Sequence, residues 1–330
     1  MSWNYMKPFY GLAEENGVYK NKRVLLIGGG GTLGTYTAEE LLRRGALVDI
    51  LCPEEKQAVN ENLHFYRAYA TEAVLRELLE RNRYDGIVNY LHYPDAGEYK
   101  PIHKLLTDNT AQLIFLSSYR VYADLEHPIT ENAPLLLDVT DDRAFLEKET
   151  YAVSKARAEK FIQTESGTKN WTIVRPVISF SDKRFDLVTW SGREIIDMAK
   201  KGEPILLPGA AEKLTAGLDW AGNSGRLIAN LLFKERAWGE TYTISSAQNL
   251  SWGEVAAVYA GLLKAKIEWV TLEEYIQHNV KLHENPWILK YDRLFDRRID
   301  NRKVLETTGL QKGDFISIEE GIKIELYKVV

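Results

Sequence analysis

The chain has 330 residues, of which 45% are apolar and 27% charged, a balance typical of globular proteins. This composition excludes intrinsic disorder, collagen-like chains and coiled-coil rods, and the length suits one large domain or one domain with a modest appendage. The formal net charge of −5 disfavours binding to phosphate backbones, so a nucleic-acid partner is not expected.

The cysteine, histidine and hydropathy patterns predict a cytoplasmic protein without a metal site. A single cysteine, Cys52, excludes an internal disulfide framework and is typical of a reducing compartment. No stretch approaches the roughly 18 consecutive apolar residues of a membrane span, and the start has no secretory apolar run. The six histidines form no i, i+4 pair and meet no second cysteine, so metal binding is not expected.

Buried strands and amphipathic helices alternate in the first half of the chain. After a predicted extension, 1–21, the pattern predicts strands at 24–27, 47–52, 64–68, 87–91, 112–118 and 171–177. Helices are predicted at 37–44, 71–81 with Thr71 as its cap, 98–106 and 143–164. This alternation predicts an α/β fold with a doubly wound parallel sheet over 22–178.

The rhythm changes after residue 178. Helices are predicted at 193–201, 223–233 and 252–263, and strands at 205–207, 241–244 and 267–270. We expect a smaller mixed α/β lobe, 179–330, at the carboxyl ends of the sheet, where doubly wound folds bind ligands; segments of it could return to the first domain. Six tryptophans are scattered through it, and core packing or interface contact is expected for them rather than ligand stacking: Trp190, Trp220, Trp238, Trp252, Trp269 and Trp287.

A glycine turn between the first strand and the following helix predicts a dinucleotide site. Gly28, Gly31 and Gly34 have the GxxGxxG spacing, which allows a tight turn, close approach of a pyrophosphate and close helix–strand packing. The alternative is a purely structural turn. The intervening Thr32 and Leu33 are assigned to the same cofactor site because they lie between two glycines of this turn.

The end of the second strand bears on the choice of cofactor. Cys52 occupies the position where an acidic residue usually binds the ribose, and Pro53, Glu54 and Glu55 follow it. The local acidity disfavours an extra 2′-phosphate, so NAD is favoured, with NADP as the alternative.

Tyr151 and Lys155 lie at i, i+4 on one helix face. A phenol has an ordinary pKa of about 10, and a neighbouring ammonium stabilises its ionised form, so the pair could exchange a proton with a substrate hydroxyl or carbonyl. By itself this spacing also arises by chance on a solvated helix. Ser118 lies at a strand's carboxyl end upstream, in the order that one active site requires.

These motifs together resemble the extended short-chain dehydrogenase/reductases of the NAD-dependent epimerase/dehydratase type. The resemblance covers about 22–321 and rests on GGGGTLG, SSYRVY, YAVSKARAE, the Arg175–Pro176 pair and DNRKVLETTGL. It is strongest toward an atypical branch that includes chloroplast stem-loop-binding proteins. The family implies a Rossmann domain, catalysis by Ser118, Tyr151 and Lys155, and a cofactor site that includes Cys52, Leu91, Tyr151, Lys155 and Pro176 with the glycine turn.

Several positions depart from the family pattern. Thr32 replaces the branch's turn arginine, Tyr69 stands where an adenine-contacting aspartate is common, and the stretch 92–112 is shorter than in typical sugar-nucleotide enzymes. Family dehydratases follow the active-site hydroxyl with an Asp-Glu pair, which here is Tyr119 and Arg120. An arginine does not donate a proton at ordinary pH, so dehydration is disfavoured.

The residues and the resemblance predict a nicotinamide-dependent epimerase or carbonyl reductase acting on a sugar, and the resemblance favours a nucleotide sugar. Arg120, Arg175 and Arg184 are candidates for binding anionic substrate groups, with surface ion pairs as the alternative. A different class of function, a non-catalytic NAD(P)- or RNA-binding regulatory protein with the same fold, stays open. A homodimer and the identity of the substrate also stay open.

Overall fold

A computed structural model of the chain describes residues 17–58 and 60–330, except for the side chain of Thr150. The predicted extension, 1–21, lies mostly outside these residues. In the described ranges, no helix combines the length and the apolar character of a transmembrane segment.

The strands and helices follow one another along the chain as the alternating pattern predicts. The strands are β1 (Arg23–Ile27), β2 (Leu47–Cys52), β3 (Leu63–Arg67), β4 (Tyr84–Asn89), β5 (Thr110–Leu116), β6 (Trp171–Pro176), β7 (Ile178–Phe180), β8 (Asp186–Leu187), β9 (Trp190–Ser191), β10 (Ile205–Pro208), β11 (Leu218–Trp220), β12 (Glu240–Ile244) and β13 (Ile267–Val270). The helices are α1 (Thr32–Arg43), α2 (Glu72–Arg81), α3 (Ala96–Asp108), α4 (Leu136–Val139), α5 (Arg143–Lys148), α6 (Thr150–Glu165), α7 (Gly192–Lys201), α8 (Ala221–Leu231), α9 (Trp252–Leu263), α10 (Leu272–His278), α11 (Lys281–Glu284), α12 (Arg302–Thr308) and α13 (Ile318–Leu326).

Seven parallel strands form the central sheet, in the order β12–β6–β5–β4–β1–β2–β3. Successive side chains of a strand point to opposite faces, and β1 shows the consequence. Val24 and Leu26 join the apolar core beneath α1 and α8, whereas Leu25 and Ile27 join the core beneath α2, α3 and α6. The sheet is therefore covered on both faces, which confirms the doubly wound α/β prediction.

The direction of strand order reverses between β1 and β4. At such a point the loops that leave neighbouring strands diverge, and ligands bind in the crevice outside the carboxyl ends. The glycine turn leaves β1 at this crevice, and residues 90–92 leave β4 beside it. The fold therefore places a candidate ligand site at this edge of the sheet.

Three short strand pairs, β7–β11, β8–β9 and β10–β13, lie outside the central sheet and belong to the additional C-terminal region. Trp220 and Trp252 are fully buried in its apolar core, as expected for packing residues. One strand of this part of the chain, β12, pairs with β6 in the central sheet. The domain boundaries at 22–178 and 179–330 stay predictions.

Two predicted helices needed correction. The first helix begins at Thr32 rather than at residue 37, because the glycine turn passes into helical backbone without an intervening loop. The predicted helix 143–164 is two helices, α5 and α6, with extended backbone at Glu149 between them (φ −80°, ψ 91°). The Glu149 carboxylate accepts hydrogen bonds from the amides of Tyr151 and Ala152, so it caps α6 and places Tyr151 in the first turn.

Two predicted strands also end earlier than expected. β4 ends at Asn89 and β5 at Leu116, so Leu91 and Ser118 both lie beyond the strands, in the loops at the crevice.

Candidate active site

The glycine turn has the backbone geometry that a dinucleotide site requires. Gly28 has a positive φ of 73°, which favours glycine, and its amide donates to the carbonyl of Leu51 at 2.8 Å. A methyl group on Gly34 would collide with the backbone of Gly29, so α1 packs closely against the turn. A methyl group on Gly31 would meet nothing within 4 Å, so space is open at the start of α1.

The start of α1 supplies donors to that open space. Gly31 occupies the N-cap position and no side chain caps the helix, so the first amides of α1 are left for a ligand. Such amides and the positive end of the helix dipole bind phosphate groups. The turn therefore fits the pyrophosphate of a dinucleotide.

A cavity of about 430 Å³ lies in the crevice, within the range of small-molecule sites. The predicted residues that line it are Gly28, Gly31, Thr32, Leu33, Gly34, Ser118, Arg120, Tyr151, Pro176 and Arg184. They come from the ends of β1, β5 and β6, the start of α6 and the loop after β7. The fold thus brings the glycine turn, the serine and the tyrosine to one cavity.

Three predicted cofactor residues, Cys52, Leu91 and Lys155, do not line this cavity. Cys52 is buried at the end of β2, where its side chain packs beneath Gly30. The Leu91 side chain packs against Gly28, so it supports the turn from the β4 side. The Glu54 carboxylate also lies against Gly30, which places one acidic group beside the turn.

Ser118 and Tyr151 line the cavity from two different elements. Ser118 caps a short helical turn, Tyr119–Val121, and its hydroxyl accepts from the amide of Arg120 at 3.2 Å. Because the hydroxyl oxygen is the acceptor there, its proton is available to a ligand. The Tyr151 ring packs beside the ring of His92, with a centroid separation of 5.1 Å.

Lys155 is 2% exposed and does not line the cavity. Its Nζ donates to the carbonyl oxygens of Leu91 and Leu116, the residues that follow β4 and end β5. Burial lowers the pKa of Lys155 to about 7, although the nearby Glu159 opposes this shift. A neutral amine would use both of its hydrogens on these carbonyls, whereas the ammonium form keeps a third donor.

A buried charge cluster closes the cavity on the side of Tyr119. The Asp292 carboxylate accepts from the Tyr119 hydroxyl at 2.5 Å and pairs closely with Arg293. Burial alone would raise the pKa of Asp292, but Arg293, Arg120 and Arg297 together hold it below its ordinary value. One carboxylate therefore balances part of the charge of three guanidinium groups.

The three arginines considered as substrate ligands have different surroundings. Arg120 and Arg184 line the cavity, and the half-exposed Arg184 side chain pairs with Asp186 at 2.8 Å. Arg175 does not line it, because its buried guanidinium forms an ion pair with Glu159 and donates to the carbonyl of Glu131. For Arg175 the ion-pair alternative is the one observed.

Sequence reasoning missed several residues that line the cavity: Tyr90, Leu116, Tyr119, Val177, Ile178, Ser179 and Arg293. All but Arg293 lie within three residues of a predicted residue and follow from the position of a strand end. Arg293 is different, because it lies in a π-helical turn, Leu289–Arg293, far along the chain from every predicted site residue. No local sequence motif distinguishes it from other arginines.

Comparison with known proteins places these motifs in a family. A sequence model of the NAD dependent epimerase/dehydratase family matches residues 24–221, more than half of the chain. A UDP-glucose 4-epimerase from Neisseria meningitidis is 24% identical over 182 residues, which are 46% of this chain and 51% of the relative. The chain therefore matches about half the length of that curated relative.

Solved structures share the fold over most of the chain. Epimerase Mth375 from Methanothermobacter thermautotrophicus superposes with a TM-score of 0.70 at 16% identity, covering 96% of this chain and 95% of the other. Bordetella bronchiseptica WbmG in complex with NAD and UDP gives 0.68 at 14% identity, covering 93% and 94%. MoeE5 in complex with UDP-glucuronic acid and NAD gives 0.65 at 16% identity, covering 92% and 98%.

Proposed function

Because the chain belongs to the NAD dependent epimerase/dehydratase family, we propose that it is an epimerase or carbonyl reductase acting on a nucleotide sugar through Tyr151. The observation that carries this proposal is the convergence of Ser118, Tyr151 and the glycine turn on one cavity. The family description names NAD, in agreement with the expectation from the acidic residues after β2.

The cofactor site that we propose is built mainly from backbone. The turn at Gly28 and the uncapped amides after Gly31 would hold the pyrophosphate, and Gly34 lets α1 approach the turn. Pro176, at the end of β6, would border the nicotinamide. When bound, NAD supplies the acceptor and donor for hydride at a sugar carbon.

In the proposed reaction, Tyr151 exchanges the proton. Its phenolic oxygen takes the proton of a substrate hydroxyl as that carbon is oxidised and returns a proton when the carbonyl is reduced. The Ser118 hydroxyl donates a hydrogen bond to the same substrate oxygen and orients it. Lys155, in its ammonium form, would offer its third hydrogen to the cofactor ribose, since the other two are held by the carbonyls of Leu91 and Leu116.

The residues after Ser118 favour this chemistry over dehydration. Elimination of water needs an additional acid and base at the sugar. The Tyr119 hydroxyl is engaged by Asp292, and Arg120 carries a guanidinium that stays charged at ordinary pH. An epimerase or reductase needs only the tyrosine and the nicotinamide.

The nucleotide-sugar assignment has two supports. The curated relative is named a UDP-glucose 4-epimerase, and WbmG and MoeE5 were solved with UDP and UDP-glucuronic acid. In this chain, Arg184 and Arg293 line the cavity and carry charge that suits a diphosphate.

The test is the substitution Tyr151→Phe, which removes the proton-transferring hydroxyl and keeps the ring. We expect kcat to fall about a thousandfold with UDP-glucose or UDP-glucuronic acid as substrate. NAD binding, measured by calorimetry, should persist and shows that the variant is folded. Tyr327→Phe, at a tyrosine that is 76% exposed, is the matched control and should retain full turnover.

Unchanged turnover in Tyr151→Phe would contradict the proposed chemistry. A wild-type protein that binds NAD but converts neither sugar would favour the non-catalytic regulatory alternative.

A further inference from the structure

Arg120 occupies a special position in the cavity. It lies two residues after Ser118, in the turn Tyr119–Val121, and its guanidinium carbon is 5.4 Å from the centre of the Tyr151 ring. Its side chain is 17% exposed and lines the cavity. The guanidinium therefore lies beside the Tyr151 ring, in the cavity that Ser118 also lines.

The hydrogen bonds of Arg120 are incomplete. Its Nε is buried and has no hydrogen-bond partner among the described residues. The nearest carboxylate oxygens are 3.5 Å from Nε, on Asp292, and 3.4 Å from Nη2, on Glu149. A guanidinium without well-formed hydrogen bonds is unfavourable, so a ligand in the cavity that offers an acceptor to the Arg120 Nη groups gains binding energy.

Both neighbouring carboxylates are committed to other donors. Glu149 accepts from the amides of Tyr151 and Ala152 at the start of α6. Asp292 accepts from the Tyr119 hydroxyl and from Arg293. Neither carboxylate comes closer than 3.4 Å to the Arg120 guanidinium, so no short hydrogen bond to them holds its Nη groups, which are left for a ligand.

The chemistry of the ligand follows from this position. A planar guanidinium binds a carboxylate through two parallel hydrogen bonds. In a nucleotide-linked hexose the diphosphate is at C1, and the charged group that can lie near a reacting ring carbon is a carboxylate at C6. Arg120 is beside the ring of Tyr151, the proposed proton-transferring residue, so the sugar carboxylate fits it better than the diphosphate does.

We propose that Arg120 is a specificity-determining residue that binds the sugar carboxylate, so that the substrate class is a nucleotide-linked uronic acid. This inference rests on the proposed function. A neutral hexose offers the Arg120 Nη groups no anionic partner, and sites that leave a polar group unpaired discriminate strongly against the analogue.

The experiment measures the dissociation constants of UDP-glucuronic acid and UDP-glucose on the NAD-loaded protein. We expect the wild type to bind the uronic acid at least tenfold more tightly. Arg120→Gln should weaken UDP-glucuronic acid about a hundredfold and UDP-glucose by a much smaller factor, so the preference disappears. Arg120→Lys keeps the charge without the fork and should give an intermediate ratio.

Two further variants serve as controls. Arg184→Gln should weaken both ligands by the same factor, because a diphosphate is common to them. Arg193→Gln, at an arginine whose side chain is 92% exposed, should change neither. Retained binding of UDP-glucose to Arg120→Gln shows that this variant is folded.

The outcomes separate the two proposals. Equal binding of both ligands by the wild type, or an equal loss of both in Arg120→Gln, overturns the uronic-acid inference and leaves the proposed function intact. Failure of the NAD-loaded wild type to bind either ligand overturns the nucleotide-sugar assignment and the inference with it. If the wild type converts UDP-glucose but not UDP-glucuronic acid, and Tyr151→Phe loses this activity, the proposed function is supported and the uronic-acid inference is contradicted.

Discussion

The two ends of the cavity are built in different ways. At the cofactor end, seven consecutive residues, 28–34, form the turn, and what matters is mainly the absence of side chains. At the substrate end, charged side chains come from three separated segments: the turn after β5, the start of α6 and the π-helical turn near residue 292. The first end is specified by local sequence, the second by long-range packing of charges.

This difference has a consequence for stability and for binding. A side chain that clashes within the glycine turn displaces only the turn and α1, and it weakens cofactor binding directly. A charge removed from the arginine cluster leaves several buried guanidinium groups without compensation, so it acts on the whole substrate end. The following predictions test this contrast.

The largest effect on stability is expected for Asp292→Asn, which removes the buried charge and keeps the shape. We expect the free energy of unfolding, measured in urea near neutral pH, to fall by about 3 kcal/mol, because Arg120, Arg293 and Arg297 lose their shared carboxylate. The pKa of Asp292 is below its ordinary value, so its contribution is present above the unfolded carboxyl pKa and is lost as the pH falls through the folded pKa.

Glu72→Gln is the matched control for this prediction. Glu72 pairs with Arg76 on an exposed helix face, where side-chain exposures are 42% and 55%. Exposed pairs contribute about 0.5 kcal/mol or less. If Asp292→Asn lowers the free energy of unfolding no more than this control does, the Asp292 carboxylate does not stabilise the buried cluster.

The second prediction separates packing from binding within the glycine turn. Gly34→Ala places a methyl group against the backbone of Gly29 and should lower the free energy of unfolding by about 2 kcal/mol. Gly31→Ala meets no atom within 4 Å, and its extended backbone (φ −78°, ψ −172°) accepts any residue. It should leave stability almost unchanged.

The affinity of both variants for NAD is measured by calorimetry. Both variants should bind NAD at least tenfold more weakly, Gly34→Ala because the turn is displaced and Gly31→Ala because the methyl group occupies the space for the pyrophosphate. If Gly31→Ala binds NAD as the wild type does, the pyrophosphate is not held at this turn.

The contrast also explains how much the sequence could predict. The turn, the strands and the order of Ser118 and Tyr151 are local or periodic features, and the structure brings them to one cavity. The break at Glu149 was missed because the preceding residues, Glu147 and Lys148, are good helix formers and a capping glutamate has no distinctive neighbours. The role of Asp292 and Arg293 depends on contacts with residues about 170 positions away, such as Tyr119, which no pattern in a single sequence reveals.

Lys155 was predictable from local sequence only in part. Its i, i+4 spacing from Tyr151 was visible in the sequence, but its burial depends on how α6 packs against the ends of β4 and β5. Spacing on a helix gives the face on which a side chain lies, whereas the degree of burial depends on the tertiary contacts of that face.

The smallest predicted effect is a pH dependence of stability due to Lys155. Its pKa is about 7 in the folded protein and about 10.4 in the unfolded chain, so between these values the unfolded chain binds more protons and stability rises with pH. The free energy of unfolding of the wild type, minus that of Lys155→Met, should rise by about 1 kcal/mol from pH 7 to pH 8. Lys104→Met, at a lysine whose side chain is 78% exposed, should show no such change. A difference that stays constant from pH 6 to pH 9 would mean that Lys155 keeps its proton when buried, and its third hydrogen would then be available to the cofactor ribose throughout this range.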